Sequence, residues 1–204
     1  AGDNDPATSD GIFVFNGSNA DSVNLGDVVR VTGSAGENQG QTQISVTPAN
    51  IIECGTGLVA PVDIFLPLAT TEQFEQYEGM LVRFPETLYV TEHFQLGRFG
   101  QVVLAAGGML PQPTNVVPPG PQVPEVQALN DRRRIVLDDA TQSQNPDPIV
   151  FGLGGQPLAA DNTLRANDGA TGIVGVMTYT WGGDRSSPNA YRVRPINALG
   201  GSAV

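Results

Sequence analysis

The sequence predicts an all-β protein built from small barrels. Twenty-five Gly and 16 Pro are spread over 204 residues without a long apolar heptad pattern, so helix content should be low. Several short runs alternate apolar and polar residues, as half-buried strands do. The clearest lies in residues 78–105, where Met80, Val82 and Phe84 are spaced two apart before a polar, Gly-containing bend. A long strand that bends back into a second is how a five-stranded barrel begins.

The predicted elements follow in chain order. Three short strands are expected at residues 12–15, 28–32 and 43–46. A short helix over residues 70–77, capped by Thr70 or Thr71, would plug one end of a barrel. Pro85 should fall at a bulge or an edge, because proline cannot donate to a β-ladder. Five further strands are predicted at residues 79–91, 98–105, 132–138, 171–179 and 191–197, with long proline-rich loops at 107–124 and 140–163.

An internal repeat organises these strands. Residues 46–50 and 193–197 share the pattern V-x-P-x-N, and each is preceded by an Asp and a Gly at similar spacing, Asp27 with Gly33 and Asp168 with Gly175. The repeat predicts tandem OB-like small barrels, the first incomplete. The expected units are a partial module at 1–57 holding the last three strands, a connector with a short helix at 58–76, and a complete barrel at 77–204. The first two strands of the partial module are expected upstream of residue 1. A single β-sandwich pooling all eight strands is the alternative.

The charge restricts the function. The formal net charge is −11, and all ten cationic residues are Arg. Such a surface repels polyanions at long range, which disfavours tight, unaided nucleic-acid binding by the whole chain. A lone cysteine, Cys54, excludes an internal disulfide framework and any multi-cysteine metal site. No apolar run reaches the roughly 18 residues of a membrane span, so no membrane insertion is expected.

Catalysis by this chain alone is not predicted. His93 is the only histidine and lies in an expected bend. Neither a G-x-S-x-G motif nor a phosphate-binding P-loop occurs. Asp138 and Asp139 would point to opposite faces of a strand, which disfavours a glycosidase-type pair.

A binding function is the sharper hypothesis. OB barrels bind single strands on the face around the second and third strands, through aromatic stacking and basic grooves. The predicted nucleic-acid contacts are Arg98, Phe99, Arg132, Arg134, Arg192, Arg194 and Tyr191. Further stacking candidates are Phe94, Tyr89, Tyr179 and Trp181. Two other interpretations stay open, a purely structural spacer and a carbohydrate-binding module that uses Trp181 and Tyr191.

The first ten residues suggest a cation site. Asp3, Asp5 and Asp10 place carboxylates in one short loop, and Ca²⁺ takes six to eight oxygen ligands. The EF-hand pattern is not met, because its glycine and closing glutamate are missing. A structural Ca²⁺ site and a solvated acidic loop are the two alternatives.

Several blocks of the sequence, in the same order, resemble one family. They are DPATSDGIFVF, LGDVVRVTG, EGMLVRF, LYVTEHFQLGRFGQVVLA, QPTNVVPPG, RRRIVLDD with NPDP, and YRVRP. Together they are similar to the non-catalytic, OB-like region of secreted bacterial extracellular endonucleases of the ExeM/NucH type. The resemblance covers nearly the whole chain.

The resemblance implies a role for the chain within a larger protein. It would be an accessory part of a secreted or surface-attached extracellular deoxyribonuclease, between upstream and downstream domains of the same parent chain. Extracellular DNA would be its partner. Mg²⁺ or another divalent ion would belong to the catalytic domain, which is not among these residues.

Overall fold

Strands dominate the chain. The computed structural model describes residues 3, 5–17 and 23–196. The first five strands are β1 (Phe13–Phe15), β2 (Asp27–Val31), β3 (Ser34–Asn38), β4 (Gln41–Ser45) and β5 (Ile51–Thr56). The next six are β6 (Val62–Asp63), β7 (Leu81–Glu92), β8 (Gln101–Ala106), β9 (Arg134–Asp138), β10 (Gly169–Thr180) and β11 (Ala190–Pro195). The all-β prediction is confirmed.

Five of these strands close into a barrel. The pairing runs β7–β8–β9–β11–β10 and returns from β10 to β7. Every neighbouring pair is antiparallel except β9 and β11, which run parallel. This is the closed, five-stranded Greek-key arrangement of an OB barrel, and all five strands overlap the predicted ranges. Pro85 lies opposite the register shift between Thr171 and Ile173, so its predicted position at a bulge is confirmed.

Alternation along the strands explains why the barrel fills its own core. On β7, Val82, Phe84, Leu88 and Val90 are all fully buried. Successive residues of a strand point to opposite faces, so these side chains share the interior. The same core includes residues of the other four strands, among them Val102, Leu104, Ile135, Leu137, Ile173, Met177 and Val193.

A connector strap packs along the barrel before its first strand. β6 pairs in parallel with the start of β7, and Ile64, Leu66 and Leu68 then bury alternate side chains in the core. A 3₁₀ helix, Thr71–Tyr77, follows and places Phe74 in the same core. The helix predicted over residues 70–77 is therefore present, in the tighter 3₁₀ form.

Two α-helices occupy segments for which the sequence predicted loop or strand. α1 spans Leu96–Phe99 and α2 spans Val123–Arg132. The signals for α2 are in the sequence: a proline and Glu125 in the first turn and Arg132 in the last. The proline spacing of the preceding loop obscured them. Arg132 therefore ends a helix instead of beginning the third barrel strand.

Short 3₁₀ turns occur at Pro48–Asn50, Pro113–Asn115 and Leu153–Gly155. No helix in the described residues is long and apolar enough to cross a membrane.

The first five strands form a separate arrangement, which we call the N-terminal ribbon (β1–β5). β4 pairs in parallel with β1 and antiparallel with β3, while β2 pairs antiparallel with β5. The ribbon contacts the barrel through Thr42, whose backbone N–H donates to Glu78 Oε1 at 2.8 Å, and through a close backbone approach of Gly11 and Gly79. The predicted division of the chain at residues 57 and 76 stays a prediction.

The geometry of the repeat differs from its sequence pattern by two residues. A Cβ added at Gly33 would lie 2.3 Å from the carbonyl oxygen of Ser45, and one added at Gly175 would lie 2.4 Å from that of Arg194. Ser45 therefore corresponds to Arg194. The V-x-P-x-N match instead pairs Val46 with Val193.

Candidate binding site on the barrel face

A cleft of about 480 Å³ lies on the outer face of the barrel. Strands β8, β9 and β11 contribute Val103, Val136 and Arg192 to its lining, and these three residues are successive cross-strand partners. They face outward because Val102 and Leu104, one residue to either side of Val103, fill the core. The volume falls within the range of small-ligand sites, roughly 300–1,000 Å³.

Aromatic rings that pack against the barrel core close one end of the cleft. The ring of Tyr191 stacks on Phe74 at a centroid distance of 5.4 Å and lies 4.7 Å from Tyr179. The Tyr191 hydroxyl donates to Glu75 Oε2 at 2.5 Å, and burial, followed by this carboxylate, raises the pKa of Tyr191. Tyr191 is thus held rigidly in its neutral form. Phe94 also lines the cleft but is 82% exposed, which leaves its ring face free for a ligand.

Gln101 carries the unusual feature of the site. Its side chain is 5% exposed and lines the cleft, and its Oε1 accepts a hydrogen bond from Ser187 Oγ at 2.9 Å. Its Nε2 has no hydrogen-bond partner within the described part of the chain. Buried amide groups are almost always paired. The Nε2 is inaccessible and packs against Gly182, where an added Cβ would lie 1.9 Å from it, so it can donate to a ligand only when the loop before β11 moves aside.

Loops at the mouth of the cleft are bound to one another. Gln95 Nε2 donates to the Ser186 carbonyl at 2.8 Å, which links the loop after β7 to the loop before β11. The second loop is tightened by Asp184, which accepts hydrogen bonds from the backbone N–H and hydroxyl of Ser186. These hydrogen bonds lower the pKa of Asp184. The two loops correspond to those that flank the ligand face of OB barrels.

A buried ion pair supports the cleft from β9 and β11. Arg192 Nη1 lies 2.6 Å from Asp138 Oδ2, and both side chains are 1% exposed. Burial lowers the pKa of Arg192, and the Asp138 carboxylate opposes this shift. Arg194 Nε lies 3.5 Å from Asp138 Oδ1. With its charge balanced by Asp138, Arg192 adds little net attraction for an anion.

The charge exposed around the cleft is net negative, since Arg134 faces two carboxylates, Glu92 and Asp131. Arg134 is exposed and forms an ion pair with Asp131 at 2.7 Å, and Glu92 lines the cleft as well. A ligand phosphate would therefore have to compete with Asp131 for Arg134.

No family model, curated protein or solved structure matches this chain. The resemblance to the extracellular endonucleases therefore stays a prediction.

Three of the seven predicted contact residues come together in the cleft, namely Arg134, Tyr191 and Arg192. Phe99 is fully buried in α1, so it cannot stack on a base, and its predicted place on a strand is wrong. Arg98 lies over the Phe99 ring at 5.2 Å and donates to Gln144 at 3.3 Å.

The two remaining predicted residues lie outside the cleft. Arg132 Nη1 donates to the Ala69 carbonyl at 2.9 Å and so fastens the end of α2 to the connector strap. Arg194 stands beside Asp138. Their roles in the structure are local contacts within the protein.

Gln101 and Ser187 were missed as site residues. The available signal was a polar residue at the outward position of an otherwise apolar strand, since Gln101 precedes Val102 and Val103. Ser187 gives no comparable signal, because its approach to Gln101 depends on the path of the loop before β11.

The acidic N-terminal loop is stabilised by its own hydrogen bonds. Asp3 accepts from the backbone N–H of Asp5 at 2.8 Å and from the Thr8 hydroxyl, and Asp10 accepts from the Asp3 backbone N–H at 3.3 Å. Within residues 3, 5–17 and 23–196, no three His, Cys, Asp or Glu side chains are grouped to hold a metal ion. The structure thus does not bring Asp3, Asp5 and Asp10 together as a ligand set.

Proposed function

We propose that this chain is a non-catalytic accessory module of a secreted, metal-dependent extracellular deoxyribonuclease, and that it contacts single-stranded DNA at the barrel-face cleft. The observation that carries the proposal is the exposed Phe94 ring in a cleft on the strand face where OB barrels take oligonucleotides. In this role the chain would position the catalytic domain of its parent on DNA.

Stacking supplies most of the affinity in this proposal. A base would lie on the free face of Phe94, and Gln101 Nε2 would donate to a base carbonyl oxygen once the loop at Gly182 moves aside. Arg134 would turn from Asp131 towards a phosphate. Each stacked base is worth about 1–3 kcal/mol. The net charge of −11 opposes binding at long range. Arg134 is the exposed cation in the described lining of the cleft, so a single phosphate contact is expected. The logarithm of the binding constant should then fall with the logarithm of the salt concentration with a slope of only about −0.7.

The direct test is fluorescence anisotropy with a labelled oligothymidine of about 16 nucleotides, the upper end of the site size of one barrel. Phe94→Ala should weaken binding by roughly 5- to 150-fold, the equivalent of the stacking energy above. Phe65→Ala is the matched control, because Phe65 is also exposed but lies on the connector strap. Equal losses in the two variants, or no binding by the parent chain at low salt, would refute the proposal.

A carbohydrate ligand is the second candidate for the same cleft. Carboxylates line it at Glu92 and Asp131, and their charge suits sugar hydroxyls better than phosphates. OB barrels are known to take oligosaccharides on this face. Binding to a polysaccharide column that is lost in Phe94→Ala, without oligothymidine binding, would favour this candidate. Failure of both ligands would leave the spacer role.

A further inference from the structure

The N-terminal ribbon rests on the barrel through polar contacts. Among the described residues before Gly57, only Gln41 and Gln43 are buried, and the hydrophobic core contains no residue of the ribbon. At the tip of the β3–β4 hairpin, the Gln39 carbonyl accepts a hydrogen bond from Asn189 of the barrel. Burial of apolar surface is the main favourable term when two protein surfaces associate. Without it, a single polar group can decide whether the ribbon stays docked.

The segment between the ribbon and the barrel can act as a hinge. Residues 58–61 join β5 to β6 without forming a helix, strand or turn. Leu58 is 94% exposed and Val59 is 74% exposed, so neither side chain is anchored by packing. Exposed segments with few contacts open at low free-energy cost.

Glu78 lies at the junction between the ribbon and the barrel. It directly follows the 3₁₀ helix Thr71–Tyr77 and is 5% exposed. Its Oε1 accepts a hydrogen bond from the Thr42 backbone N–H at 2.8 Å, and its backbone carbonyl accepts one from the Ser9 hydroxyl. Its second carboxyl oxygen, Oε2, is buried without a hydrogen-bond partner among the described residues. One side chain of the barrel therefore holds β4, and that side chain is titratable.

Negative charge faces Glu78 from both the barrel and the ribbon. Glu75, on the 3₁₀ helix, accepts a hydrogen bond from the Tyr191 hydroxyl, and Glu37, on β3, accepts one from the Thr42 hydroxyl at 2.6 Å. Burial raises the pKa of Glu78; the Thr42 N–H opposes this shift, and the two carboxylates add to it. Glu78 has no ion pair in the described part of the chain. An ionised Glu78 would be a buried, unpaired charge, which is costly, whereas a neutral carboxyl still accepts from Thr42.

We propose that Glu78 is a pH-sensitive latch that docks the ribbon on the barrel while its carboxyl is protonated and releases the ribbon when the carboxyl ionises. Release would separate Thr42 from Glu78 by movement about residues 58–61 and would admit water to the carboxylate. The ribbon strands would keep their pairing, because they pair only with one another. Gly40 would leave the Tyr179 ring, which lines the cleft. This inference is independent of what the cleft binds.

Hydrogen exchange of the Thr42 amide, followed by NMR in the whole chain, tests the latch. Glu78 accepts from this amide, so its protection relative to the intrinsic exchange rate reports how often the ribbon is released. The pKa of Glu78 is about 7 when docked against an ordinary 4.5, so protection should fall roughly 100-fold between pH 4.5 and 7 and then level off. In Glu78→Gln the fall should disappear, because the side chain stays neutral and its oxygen still accepts. Constant protection in the parent protein, or an equal fall in Glu78→Gln, would overturn the latch.

A barrel amide separates release of the ribbon from unfolding of the whole chain. Leu104 lies on β8, which is paired on both sides, and its amide should remain far more protected than that of Thr42 at pH 7. Equal protection of the two amides would mean that Thr42 exchanges only when the whole chain unfolds, which would contradict the latch. Asp139→Asn is the matched control, since it removes a second carboxyl of raised pKa, which follows β9 in the barrel. It should leave the pH profile of Thr42 unchanged, and loss of that profile would assign the effect to the wrong carboxyl.

A contact at the hairpin tip gives a second readout. Asn189→Ala removes the hydrogen bond to the Gln39 carbonyl and so weakens docking at every pH. The protection of the Thr42 amide should fall by about 2- to 13-fold, the equivalent of one hydrogen bond, without a change in its pH dependence. Unaltered protection would show that docking of the ribbon is not what shields Thr42, and the latch would then be wrong.

Discussion

At the scale of single residues, Asp138 holds a buried ion pair. It is buried beside Arg192 and Arg194, and its removal would leave a buried guanidinium without a counter-charge. Breaking a buried pair on one side costs about 3–5 kcal/mol. Asp138→Ala should lower the free energy of unfolding by that amount in urea titrations. Asp63→Ala removes the exposed pair with Arg83 and should change little. Similar small losses in both variants would show that Arg192 is not held as described.

Glu78 makes stability depend on pH. Burial raises the pKa of this carboxyl from its usual 4.5 to about 7, with Glu75 and Glu37 adding to the shift and the Thr42 N–H opposing it. The folded protein therefore binds a proton that the unfolded chain has lost, so stability falls as pH rises from about 4.5 to about 7. In the Glu78→Gln variant, the urea midpoint of unfolding should therefore fall much less with pH over the upper part of this range.

Asp139 provides the matched comparison for Glu78. Burial raises its pKa from 3.8 to about 6, and the neighbouring Asp138 adds to this effect. Its contribution has the same sign and acts between about pH 4 and 6. In the Asp139→Asn variant, the urea midpoint should fall less with pH between about 4 and 6. The fall of the midpoint between pH 6 and 7 should remain. If Glu78→Gln leaves the profile above pH 6 unchanged, Glu78 is not the group responsible.

At the scale of elements, the β10–β11 hairpin requires a glycine. A Cβ at position 175 would meet the Arg194 carbonyl and the Val193 side chain, both on β11. Gly175→Ala should force these strands apart and lower the free energy of unfolding by about 1–3 kcal/mol. Gly36→Ala, on β3, meets nothing within 4 Å and should be neutral or slightly stabilising. Equal melting temperatures for the two variants would contradict the close approach of the strands.

Elements were predictable where alternation was strong. β7 buries alternate apolar residues on each side of its bulge at Pro85, and this period is visible in the sequence. α1 and α2 were missed because each is short and adjoins a strand, so that Phe99 and Arg132 were assigned to the strands that follow. Placing Phe99 on a strand suggested an exposed ring, whereas α1 turns it into the core.

For the whole molecule, barrel closure could be predicted but the cleft could not. Five alternating strands with inward apolar positions have few ways to bury a common face. The cleft instead depends on which outward residues lack partners. Gln101 Oε1 is paired because a loop 86 residues further along the chain brings Ser187 to it. Its Nε2 has no such partner. Such a long-range contact leaves no local pattern in the sequence.

We propose that the barrel face formed by β8, β9 and β11 is the ligand site. Two-dimensional ¹H–¹⁵N NMR during titration with oligothymidine tests it most directly, because the Gln101 side-chain NH₂ gives its own pair of signals. We predict that these signals shift on binding, together with the backbone amides of Val103 and Val136. Binding that shifts only the N-terminal ribbon, or that leaves the Gln101 NH₂ signals in place, would contradict the account.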